Sequence, residues 1–167
     1  MRVRRGGVAK VSDCNEGTSR FSPRDSSLRG VLDSIVSADP RYTWEVKDDV
    51  INVLPRNGAP PFLAVRISKF DLHEVESPRE ALSQLLAIPE VRRAQLSLGP
   101  HAVQGGVHVF CPECPPGETK KISVNLRDVT IREALNAIAR AHGNAVWRFG
   151  QWECGGRKSF SLDFAAK

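Results

Sequence analysis

"TIREALNAIARAHGNAVWRF" (Thr130–Phe149) decides the fold, because the chain contains a second version of it, "SLRGVLDSIVSADPRYTWEV" (Ser27–Val46), 103 residues earlier. The two align without gaps. Identities fall at Arg29/Arg132, Leu32/Leu135, Ile35/Ile138, Ala38/Ala141 and Trp44/Trp147. In each, a hydroxyl residue precedes apolar positions at helical spacing. A breaker, Pro40 or Gly143, then stops the helix. Thr130 and Glu133 have the spacing of a capping box. Matching Leu and Ile residues need only two amphipathic helices. A rare Trp recurring in the strand beyond the breaker points to duplication of a strand–helix–strand–strand unit.

A third helix opens at Ser77 in "SPREALSQLL", with Pro78 at its first position and Glu80 completing a capping box. It repeats Arg79, Leu82 and Leu85 in the same frame, and Pro89 is expected to end it. The shared Arg29, Arg79 and Arg132 lie in first turns, where the helix dipole disfavours a cation. They are either exposed or paired with a neighbouring carboxylate on a repeated contact surface.

Strands are expected at Tyr42–Val46, Val50–Leu54, Phe62–Val75, Val107–Phe110, Ile122–Val129, Ala145–Phe149 and Ser159–Phe164. Lys47–Asp49 is expected as a tight turn, although it lacks the glycine that marks a strong hairpin. The resulting class is α+β: two related small modules, each a small mixed sheet with one or two helices packed on one face. Residues 1–20 are expected to form a flexible basic arm, 21–97 a βαββα-like module, 98–106 a connector and 107–167 a ββαββ module.

The 167 residues carry a net charge of +5, and 41% are apolar, enough to bury a core. Residues 1–30 hold seven of the basic and three of the acidic side chains, which leaves the remainder nearly neutral. Nucleic-acid binding by counterion release needs a basic face on the folded body. A nucleic-acid module would therefore have to use Arg2, Arg4, Arg5 and Lys10 of the arm, and nucleic acid is not the expected partner. No apolar run of about 18 residues is present to span a membrane. The basic opening lacks the apolar stretch of roughly 7–15 residues of a signal peptide, so no export signal is expected in the chain as written.

"ISVNLRDVTIREALNAIARAHGNAVWRF" (Ile122–Phe149) resembles the short N-terminal domain of secretins and TonB-dependent receptors. There a strand ending in a hydrophobic–Asp–Val step enters a helix opening in Glu-Ala-Leu, followed by Gly and a strand. Ser27–Leu86 is similar to that family's wider arrangement of helix, two strands and a second Glu-Ala-Leu helix. The resemblance implies a small docking or ring-building module of the bacterial cell envelope or periplasm, acting through a protein partner rather than by catalysis. "CPECPPGETKK" (Cys111–Lys121) is not part of that pattern, and no pore or barrel segment follows.

Four cysteines occur. Cys111 and Cys114 have C-x-x-C spacing, but one pair supplies only two of the four ligands of a structural zinc site. Zinc would also need Cys14 and Cys154, or His101 and His108. In an oxidising compartment Cys154 could bridge to Cys111 or Cys114. A redox or hydrolytic centre at Cys111 and Cys114 has no nameable base. His73, His101, His108 and His142 are scattered, and no phosphate-binding loop or nucleophile elbow is present. Asp48 and Asp49 suit a polar turn, and His142 suits a helix C-terminus. Trp44, Trp147 and Trp152 are expected in the core rather than on an aromatic surface. No enzyme activity and no cofactor are expected.

Overall fold

A computed structural model describes residues 4–13, 27–98, 121–154 and 157–166. The elements run β1 (Arg4–Asp13), α1 (Leu28–Ala38), β2 (Tyr42–Lys47), β3 (Val50–Pro55), a 3-10 turn (Pro61–Ala64), β4 (Arg66–Val75), α2 (Pro78–Ala87), α3 (Pro89–Ser97), β5 (Ile122–Thr130), α4 (Ile131–His142), β6 (Ala145–Cys154) and β7 (Arg157–Ala166). The class is α+β. One sheet has five strands in the order β2-β3-β1-β6-β7, and the other pairs β4 with β5.

The helix starts follow local chemistry. Ser27, Ser77 and Thr130 each cap, their side chains accepting from the N–H of Gly30, Glu80 and Glu133. At Thr130 the box is reciprocal, with the Thr130 N–H donating to Glu133 at 2.8 Å. Gly143 ends α4 at φ 91°, a left-handed conformation that glycine adopts without steric cost. Pro89 does stop α2, and it also starts α3, which was not expected: Ile88 takes an extended conformation between them, and proline suits a first helical position. Phe62–Ala64 belong to the 3-10 turn and not to β4, which begins at Arg66.

The β2–β3 hairpin turns on Asp48 and Asp49, both at positive φ (53° and 61°). Asp tolerates this region because its short polar side chain can bond locally, so it fills positions where glycine would be looked for. Lys47 lies within β2.

Two expectations about organisation are corrected. The supposed arm supplies β1, the middle strand of the large sheet. It pairs in parallel with β3 on one side and with β6 on the other. Its polar, glycine-containing sequence hid it, because a strand with parallel neighbours on both sides is expected to read as a near-continuous apolar run. The two modules are also not separate units. β4 from the first stretch pairs antiparallel with β5 from the second, and one continuous core includes Leu54, Phe62 and Leu85 together with Leu135, Trp147 and Phe164. The expected connector and the strand at Val107–Phe110 fall mainly in residues 99–120, outside the described residues.

The core forms where α4 lies between the two sheets. Ile131, Ala134, Leu135, Asn136, Ala137, Ile138 and Ala139 are all buried. From the large sheet, Trp147, Phe149, Phe160, Leu162 and Phe164 face inward. Phe62 stacks on Phe149 at 5.6 Å between centroids and meets Phe160 at 5.7 Å with the rings tilted by 36°.

The sequence repeat has a physical counterpart. The indole N–H of Trp147 donates to Oδ1 of Asn136 at 2.9 Å. At the equivalent positions, the indole N–H of Trp44 donates to Oδ1 of Asp33, also at 2.9 Å. The strand after each helix thus reaches back to the same place on it. The buried copy uses a neutral amide and the exposed copy a carboxylate, as expected when an unpaired charge is too costly to desolvate. Replacing Trp147 with Phe removes this bond in the core and leaves the Asn136 oxygen unpaired. It should cost about 2–4 kcal/mol in urea unfolding, whereas Trp44→Phe should cost under about 1 kcal/mol. Equal losses would show that burial does not separate the two copies.

Candidate interaction edge

β2 and β7 are the edges of the large sheet, and β2 carries the more distinctive surface. Its residues alternate between two environments. Thr43, Glu45 and Lys47 point to the α4 side of the sheet. Arg132 on α4 donates to Glu45 at 2.8 Å, and Lys47 donates to Glu133 at 2.8 Å. Arg140 reaches the Asp48 carbonyl at 3.4 Å. These contacts fix the hairpin against α4 along much of the helix. Tyr42, Trp44 and Val46 occupy the opposite face, where α1 packs through Trp44 and Asp33, and where the Arg29 guanidinium lies over the Trp44 ring at 5.3 Å.

α1 covers this face thinly. Leu32 is its only buried residue, while Leu28 is 49% exposed. Ile131, the counterpart of Leu28 in the repeat, is completely buried. Val46 is 51% exposed on the edge strand itself. Among the described residues β2 pairs only with β3; the Tyr42 N–H turns back to the Asp39 carbonyl at 3.1 Å, and beyond it the outer side of the strand is of the kind that accepts an added strand. At the start of β2, Pro40, Arg41, Tyr42, Pro55, Arg56 and Asn57 line an open pocket of about 450 Å³. The Arg56 Nε–H donates to the Pro40 carbonyl at 3.0 Å, and Arg41 pairs with Asp39 at 2.7 Å.

The residues singled out by the repeat do different work. Arg132 does pair with a carboxylate, Glu45. Arg29 stacks on Trp44, and Arg79 is exposed on α2. Trp147 is core, as expected, whereas Trp44 and Trp152 are half-buried. Trp152 lies against Gly150 on the outer face of the β6–β7 hairpin, where Arg148 makes a two-toothed pair with Asp163 at 2.9 and 3.1 Å. His142 lies in the last turn of α4, its Nδ1 accepting from the Asn144 N–H at 3.4 Å. His73 is exposed on β4.

Cys154 ends β6, whereas Cys14, Cys111, Cys114, His101 and His108 lie outside the described residues. No cluster of three potential metal ligands occurs among the described residues. Arg4, Arg5 and Lys10, which a nucleic-acid arm would use, belong to β1, and Arg2 is outside the described residues. No helix among the described residues is long and apolar enough to cross a membrane. Sequence reasoning missed the β2 edge as a site because edge position depends on strand order, which no local pattern in Tyr42–Val46 reveals.

No protein-family model, curated protein or solved structure matches the chain.

The Lys47–Glu133 contact gives this edge a pH signature. The Lys47 ammonium, then the Thr130 N–H, hold the Glu133 carboxyl at about 2, below its ordinary 4.5. The folded value is depressed, so the stabilisation is complete above the unfolded value of 4.5 and is lost as pH falls towards 2. Glu133→Gln should cost about 1–2 kcal/mol at neutral pH and flatten the acid limb of the stability curve. An unchanged acid limb in urea titrations at stepped pH would show that the contact does not stabilise the fold.

Proposed function

We propose that the protein is a non-enzymatic docking module that works through protein–protein contact at the β2 edge. The observation that carries this is an edge strand paired on one side only among the described residues, with a half-exposed valine and a flanking pocket, tied to α4 by Arg132–Glu45 and Lys47–Glu133. An edge pre-ordered in this way loses little entropy when it receives a strand. The bacterial cell envelope is the proposed setting. The support is the resemblance of Ile122–Phe149 to the short N-terminal domains of secretins and TonB-dependent receptors. The segment that carries it forms β5, α4 and β6, the strand, capped helix, glycine stop and strand of that family's pattern.

A photo-crosslinking side chain at exposed Thr43, with Lys69 on β4 as the control position, tests this in the native host. The expected result is a protein adduct at Thr43 that fractionates with the envelope and is absent at Lys69. Adducts of equal yield at both positions, or none at Thr43, would overturn docking at β2. An adduct confined to cytoplasmic fractions would overturn the compartment alone.

A further inference from the structure

The charges that flank β2 are arranged by its ends. At the start, Arg56 has no carboxylate partner among the described residues. At the other end, Asp48 and Asp49 have no cation paired with either carboxylate among the described residues. The edge therefore carries an excess of positive charge at its start, Arg56 beside the Arg41–Asp39 pair, and an excess of negative charge at its turn, where Arg140 bonds the Asp48 carbonyl but neither carboxylate. A strand complementary to it must run the opposite way with the same charge order, and β2 itself satisfies that condition.

We infer that the occupant of the β2 edge is the β2 strand of a second copy, joined antiparallel about a two-fold axis. This rests on the docking reading of β2 and names its partner. Antiparallel self-pairing sets the Arg56 end of each copy beside Asp48 and Asp49 of the other. Parallel pairing would instead bring the four aspartates together.

The register follows from the side chains. Centred on Glu45, the ladder sets Val46 opposite Trp44 of the second copy, on the face shared with α1. Thr43 then faces Lys47, and Arg41 faces Asp49. Centred on Trp44, the ladder would set Arg41 opposite Lys47, which Asp39 and Glu133 already compensate, but would also set Asp39 opposite Asp49, a like-charge pair at the turn. Glu45 is tolerated on the axis because Arg132 already compensates it at 2.8 Å. The half-exposed Val46 gains an aromatic cross-strand neighbour. The two five-stranded sheets become one ten-stranded sheet, and the contact is isologous, so it closes at two copies.

Sedimentation equilibrium of the full chain under reducing conditions, from low micromolar to several hundred micromolar, tests this. The expected result is a concentration-dependent doubling of mass. Val46→Lys, a surface change of the kind natural edge strands use to block pairing, should weaken association at least about tenfold. The double variant Asp48→Asn, Asp49→Asn keeps side chains suited to positive φ and should weaken it about twofold to fivefold while reducing its salt dependence. A chain that stays monomeric throughout overturns self-pairing, and so does a dimer indifferent to both variants. In either case the Thr43 adduct decides separately whether β2 docks another protein: a self-adduct there fits this inference, and an adduct only to a different protein overturns it.

Discussion

The architecture depends on one helix having no dry side to spare. α4 lies between the two sheets and also links them, since β5 before it belongs to the small sheet and β6 after it to the large one. A helix in that position must be small and apolar nearly all round, and Ala134, Ala137 and Ala139 let the sheets approach it. Its ends remain near the surface. There the polar devices collect: the Thr130–Glu133 box, the ion pairs to β2 and the Gly143 stop. Asn136 is the one polar side chain in the buried belt, and the Trp147 bond satisfies its oxygen.

The same helix-to-Trp geometry serves two levels of burial. Around Trp147 it is enclosed by core, and around Trp44 it is half open to solvent. The two similar sequence units thus sit in different environments. One copy holds the core, while the other presents its helix and strand at the margin of the sheet. The chemical difference follows burial: Asn136 where a charge would be stranded, Asp33 where water can reach it.

Local features were legible in the sequence. The three cap residues, Gly143, the buried stripe of α2 and the repeat itself were all marked by short-range patterns whose physics is local. Strand pairing was not legible. The role of Arg4–Asp13 depends on partners near Asn52 and Trp147, and nothing in "RRGGVAKVSD" announces two parallel neighbours. The union of β4 with β5 was hidden for the same reason, because adjacency in a sheet is a property of the whole chain. The candidate edge was half legible: the strand Tyr42–Val46 and the Asp48–Asp49 turn were marked, but which strand would be outermost was not.

The position of β1 has a consequence for how the protein is made. Among the described strands β1 leaves the ribosome first, yet β6, which closes its second side, follows all of the others except β7. The large sheet cannot be completed co-translationally from its N-terminus. Until β6 arrives, β1 carries an unsatisfied ladder, and β3 has at best a provisional neighbour. Such a contact order favours slow closure and a window in which nascent chains can pair with the wrong strand. The polar, glycine-containing sequence of β1 specifies its own register only weakly, so its alignment depends on β3 and β6, which ladder it from both sides.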